Sequence, residues 1–156
     1  MSEKKPYGNL IDQWNETRAV TFQIANTIPN DVNLDWKPHP DMNELHKLMR
    51  HLVAAVYFHF KNYLGKPIDY PKIIVDKVKF NKEIFLEQLN LTDKMVKEFL
   101  QNLKPEDMTK EAYTWEGRSY MVEWVVWNLK GHERWHQAQL KMYLKLMGID
   151  TTKIGH

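Results

Sequence analysis

Trp127-Asn128-Leu129-Lys130-Gly131-His132-Glu133-Arg134-Trp135-His136-Gln137-Ala138-Gln139 is the stretch on which the reading of this chain turns. As a helix it sets His132 and His136 one turn apart on one face, where two imidazoles can converge on a single metal ion. Val122, Val125, Leu129, His132, His136, Leu140, Tyr143 and Met147 follow steps of three and four, so both histidines fall on the apolar stripe that a helix turns toward a core. The predicted helix runs from Ser119, an N-cap residue, to Met147, with Gly148 as its stop signal. A second face, formed by Tyr120, Trp124, Trp127, Gly131 and Trp135, is aromatic too. The helix is therefore expected to be covered on two sides, by the bundle and either a loop or a second subunit. Glycine inside a helix costs ~1 kcal/mol relative to alanine, so Gly131 predicts close packing of another element on the backbone there.

Upstream, the same spacing predicts three more helices. The first spans Asn9 to Ile28 and ends at Pro29-Asn30;. Residues 31–40 follow as a loop, since Trp36-Lys37-Pro38-His39-Pro40 cannot be helical. Asp41 and Glu44 have capping-box spacing, which starts the second helix at Asp41 and carries it through Leu48, His51, Leu52, Ala55, Phe58 and Asn62 to Gly65. Residues 65–79 form a crossover connection, and the third helix runs from Asn81 to Leu103. Residues 104–118 read as loop. No alternating strand pattern appears, so the expected fold is all-α, a single domain over residues 1–156 built as a four-helix bundle with a long crossover connection.

Composition narrows the function. The 156 residues carry 22 Lys+Arg against 20 Asp+Glu, a formal net charge of +2, with the basic residues scattered; neither nucleic acid nor an anionic membrane is favoured as a partner. There is no cysteine, which removes disulfides, thiolate ligands and a cysteine nucleophile together. The stretch Met1 to Pro6 is polar with no apolar segment behind it, and no apolar run reaches membrane-spanning length. The expected location is cytoplasmic.

The five residues His132 to His136 also spell H-E-x-x-H, the metalloprotease helix motif. That reading lacks its third ligand: Gln139 and Met142 stand where a following Gly and His would be, no Glu occurs after His136, and only Asp150 and His156 remain;. Of the upstream histidines, His39 lies in a proline loop, and His46 and His59 fall beside the core line of the second helix as surface or boundary residues. His51, between Leu48 and Ala55 on the inward face, is the third ligand. Three neutral imidazoles, His51, His132 and His136, leave one divalent ion with an open position, the mark of a catalytic site. Three imidazoles suit zinc, nickel, iron(II) or copper, and the residues do not choose among them; zinc is taken first, with nickel and iron next. Glu133, about 100° around the helix from His132, reads as a solvated carboxylate or one standing behind the ligands; Gln139 reads as orienting a substrate or capping a bundle contact. No catalytic residue is assigned beyond these.

Trp36-Lys37-Pro38, the inward histidine of Leu48-Met49-Arg50-His51-Leu52, the H-x-x-x-H-x-x-Q of the last helix and its closing Leu146-Met147-Gly148 together resemble the DinB/YfiT-like superfamily over nearly the whole chain. In that family the final helix often reads His-Glu-x-x-His-Arg-Gly-Gln; this chain has Gln137 for the Arg and Ala138 for the Gly. The resemblance implies a four-helix bundle with a long crossover, frequently a homodimer, and a metal on His51, His132 and His136. It further implies a transferase joining a low-molecular-weight thiol, such as bacillithiol or mycothiol, to an electrophile, both small-molecule partners. A non-catalytic, stress-related metal-binding bundle is the second reading, and the peptidase ranks last.

Overall fold

The computed structural model describes residues 8–155, with backbone only for residues 113–115; Met1 to Pro6 and His156, weighed above, lie outside it. Four long helices carry the fold: α1 (Leu10–Thr27), α2 (Leu45–Phe58), α4 (Lys82–Asn102) and α5 (Val122–Leu146), with a one-turn α3 (Lys72–Val75) between α2 and α4. Helix α1 packs against α4 and α5, and α2 packs against the same two. The helices thus stand around the bundle in the order α1, α4, α2, α5. The connection between α2 and α4, expected to cross over at residues 65–79, joins neighbours; the diagonal crossings are made by residues 28–44 and 103–121.

Two apolar clusters fill the interior. One gathers Ile24, Leu45, Met49, Leu52, Phe85, Leu89, Leu140 and Leu144; the other gathers Trp14, Val56, Phe60, Val96, Leu100, Val126 and Leu129. Between them along α1 and α5 lie buried polar side chains, Thr17, Arg18, Thr21, Glu133 and Gln137.

Helix α1 starts as expected, with the Asn9 side chain accepting from the Ile11 and Asp12 N–H groups;. Asn81 does the same for α4 through Ile84, and α4 runs unbroken because Thr92 folds its hydroxyl back onto Gln88 O at 2.9 Å;. The helices that carry the histidines begin otherwise. The capping box does not form: α2 starts at Leu45, whose N–H donates to Trp36 O (2.9 Å), and His46 N–H donates to Leu34 O (3.1 Å). The loop that carries Trp36 caps the helix with its own carbonyls, and Glu44 pairs with Lys47 instead (2.7 Å). Helix α5 likewise starts at Val122 and not at Ser119, with Val122 N–H donating to Lys110 O (3.0 Å) and Glu123 N–H to Met108 O (2.9 Å).

The segment read as loop contains a hairpin. Strand β1 (Glu111–Trp115) pairs antiparallel with β2 (Arg118–Met121), Trp115 opposite Arg118. The turn, Glu116-Gly117, has both residues at positive φ (49° and 73°), the geometry of a two-residue type I′ connection. Ser119 and Tyr120 therefore belong to a strand, and Ser119 bonds Glu111. Gly131 also departs from expectation: nothing lies within 4 Å of where its Cβ would stand. No helix among the described residues is long and apolar enough to cross a membrane.

Candidate metal centre

His51 on α2 and His132 and His136 on α5 meet in the groove between those helices. One ring nitrogen from each lies within 4.8 Å of the others, and the ring centroids stand 4.3 to 5.2 Å apart. Nε2 of His132 is 3.1 Å from Nε2 of His136. With metal–nitrogen bonds of about 2.0–2.1 Å, two nitrogens on one ion are separated by roughly 2.9 Å at a right angle and 3.4 Å at the tetrahedral angle. The observed spacing falls inside that window.

The histidines grade from the interior outward: His136 is buried, His132 half-buried and His51 exposed. The centre is thus a lined notch opening on one side, and His51 borders it from the flank of α2 rather than from the core stripe. Burial holds all three below the ordinary histidine range. His132 is lowered to about 3, by desolvation first and then by the neighbouring imidazoles; His51 and His136 are lowered for the same first reason. Three neutral rings that each offer a lone pair form a donor set suited to a divalent cation. Gln139 sets the tautomer of His136: its Oε1 lies 2.6 Å from Nδ1 and takes the N–H there, which leaves Nε2 for the ion;.

Glu133 and His59 stand differently from their sequence reading, as do His51, which is exposed and not inward, and His46, which is buried. Glu133 is neither solvated nor beside the ligands. It is 2 % exposed and faces α1, where it accepts from Thr21 Oγ1 at 2.5 Å and lies 3.4 Å from Arg18 Nε. Gln137 completes this inner network by donating to Thr17 O (2.6 Å) and Thr21 Oγ1 (2.8 Å). Burial pushes the Glu133 carboxyl up and the Arg18 guanidinium down, and each opposes the other's shift by its charge.

His59, set aside as a boundary residue, is buried against the centre, its ring centroid 5.8 Å from that of His132. Its Nδ1 donates to Ala55 O at 2.6 Å and its Nε2 meets the Asn128 side-chain amide at 2.7 Å, so both nitrogens are engaged and it supports the ligands without joining them. A sequence signal exists: His51, Ala55 and His59 repeat every four residues on one helix, and Asn128, His132 and His136 on the other. A π-helical turn follows over His59–Tyr63, with Leu64 N–H donating to His59 O (3.0 Å), and shifts the helical phase of the residues after His59;. Beyond His59 an aromatic wall continues through Tyr63 (5.2 Å) to Trp124 (5.3 Å) and Tyr120 (5.2 Å). His39 is exposed beside Asp41, and His46 is buried beside Asp35 (3.6 Å); neither reaches the centre.

The family model of the DinB superfamily matches residues 13–140. This chain belongs to the DinB superfamily. Solved structures agree on the fold. A DinB-like protein from Bacillus cereus superposes with a TM-score of 0.78 at 15% identity, over 94% of this chain and 95% of the other. A DinB-like protein from Bacillus subtilis, YjoA, gives 0.69 at 17% identity over 94% and 96%. An uncharacterised Escherichia coli protein gives 0.62 at 14% over 90% and 94%. A comparison with curated proteins gives no match. The DinB-like fold and the three-histidine group thus coincide in one molecule.

Proposed function

We propose that this DinB-superfamily protein is a metal-dependent enzyme in which His51, His132 and His136 hold one divalent ion, zinc first, and which joins a small-molecule thiol to an electrophile or, as a variant, adds water. The observation that carries the reading is the set of three neutral ring nitrogens within 4.8 Å of one another on the open side of a groove. A bound divalent ion supplies Lewis acidity, which favours the deprotonated form of a thiol or water at an open position. The chain's own residues do the rest. Gln139 keeps His136 in the ligating tautomer, His59 and Asn128 pack behind His132, and the Tyr63, Tyr120 and Trp124 rings offer apolar surface to an organic substrate beside the centre. Since the chain has no cysteine, the sulfur nucleophile comes from the cosubstrate: its thiolate attacks the electrophilic carbon, the S–C bond forms, and the leaving group departs with the bonding pair.

The test is elemental analysis of tag-free protein followed by assay. One ion per chain in the wild type, a sharp loss of affinity in His51→Ala with helicity unchanged, and zinc-dependent conjugation of a low-molecular-weight thiol to an aryl halide would support the reading. Full metal retention in His51→Ala sinks the ligand assignment. Metal binding with no turnover across thiols and hydrolysable esters assigns the protein to the non-catalytic alternative.

A further inference from the structure

A recess of about 580 Å³ opens where the π-helical turn after α2, the C-terminal half of α4 and the start of the hairpin meet. Its volume falls in the range of about 300–1,000 Å³ common to small-molecule sites. Phe60, Leu64, Ile68, Met95, Phe99 and Val122 form its floor. Phe60 is buried in the second apolar cluster, and the other five are part of the half-buried layer packed against that cluster. The core therefore meets solvent here without a cover. Phe60 and Phe99 pack edge to face at 5.4 Å. Leu64 and Phe99 also border a smaller, largely apolar space of about 20 Å³ on their inner side, so both have room to give way to a slender chain. The π-helical turn separates the recess from the metal centre: Tyr63 stands 5.2 Å from His59 on the side of the centre, while Phe60 and Leu64, one residue further on, line the recess.

The rim is polar, and most of its charge is committed. Asp107 pairs with Lys110 at 2.6 Å, and Glu111 bonds Ser119. Lys66 sits in no ion pair among the described residues, and its Nζ stands 5.8 Å from the centre of the Phe99 ring, at the edge of the apolar floor. The backbone that carries it is pinned, with Lys66 N–H donating to Phe60 O (2.9 Å) and Ile68 N–H to Lys66 O (2.8 Å). An uncommitted ammonium beside an open apolar floor is complementary to a molecule with a carboxylate at one end and a hydrocarbon chain at the other. Glu98 also borders the recess and opposes an anion there, which gives the charge argument a test of sign.

We propose that this recess binds a single-chain amphipathic carboxylate of the fatty-acid type, its chain on the floor between Leu64, Met95 and Phe99 and its carboxylate on Lys66. The site is distinct from the three histidines, and the inference does not depend on the catalytic reading.

Isothermal titration of the full chain with decanoate, kept below its micelle concentration, tests it. About one decanoate per chain is expected, and each methylene added from hexanoate to decanoate should raise the affinity about fourfold. Decylamine, with the opposite head charge, should bind roughly tenfold more weakly or worse. Lys66→Gln should weaken decanoate roughly fivefold or more, and Glu98→Gln should strengthen it. Ile68→Glu, placed in the connection after the π-helical turn, should abolish binding with helicity unchanged. His51→Ala should bind decanoate as the wild type does. A wild type that binds no decanoate, equal affinity for decylamine, or an undiminished Lys66→Gln would each overturn the proposal. So would binding that survives Ile68→Glu, which puts the ligand on another apolar face, or binding lost in His51→Ala, which moves it to the histidines.

Discussion

His132 and Glu133 are neighbours in sequence and stand on opposite sides of α5. His132 faces α2 in an open groove with two other imidazoles, its Nε2 3.1 Å from that of His136. Glu133 faces α1 in a closed interface, held by Thr21 and Arg18. One side can accept a cation and the other is already neutralised. The motif that joins them in one line of text is therefore two devices: the i, i+4 histidines build a site, and the carboxylate between them ties α5 to α1. In a peptidase helix of this pattern the Glu works beside the metal as general base; here it points into the bundle.

The largest test of that division is to remove each side. Glu133→Ala strands the buried Arg18 charge and should cost about 3–5 kcal/mol in urea unfolding, while the protein that remains folded still takes up one metal ion. His136→Ala should do the reverse, abolishing metal uptake at a much smaller cost in stability. Equal losses of stability in the two variants would erase the distinction.

Acid sharpens it with a smaller effect. The three histidines titrate below their unfolded value of about 6.5. As pH falls through 6.5 the unfolded chain binds protons that the fold refuses, and stability drops, a loss that for His132 continues to about 3;. Glu133, raised by burial, acts oppositely, since the folded chain takes its proton before the unfolded one does. Urea melts of the metal-free protein at pH 7.5 and 5.5 should show this loss, and His132→Gln should show less of it. An unchanged pH dependence in the variant would count against neutral, buried ligands. The smallest effect is expected of Gln139→Ala, which frees the His136 tautomer: metal affinity should fall roughly 10–100-fold with unfolding unchanged. Calorimetric titration with zinc measures it.

Much of this was legible in the sequence. The four long helices follow from 3.6-residue periodicity, and the meeting of His51, His132 and His136 follows from two histidines one turn apart plus one on a second amphipathic helix. Glu133 was misread because a helical wheel gives its angle from His132 but not which helix waits on the far side. The hairpin was missed although Glu116-Gly117 sits as two turn residues between strand-forming segments, Tyr113-Thr114-Trp115 and Arg118-Ser119-Tyr120;. Its strands are short, and only pairing makes them strands. The start of α2 is not legible in side chains because main-chain carbonyls, those of Leu34 and Trp36, cap it.

Those main-chain caps bear on divergence. Helices α2 and α5, which together carry the histidines, both begin on carbonyls of the preceding connection: Leu34 and Trp36 for one, Met108 and Lys110 for the other. Every amino acid supplies a carbonyl. Where these helices start is then held by the path of the loop and not by the identity of a capping residue, so replacement at those positions leaves the two helices in register. That is one physical route by which the same scaffold persists, at a TM-score of 0.78, between chains that share 15% of their residues.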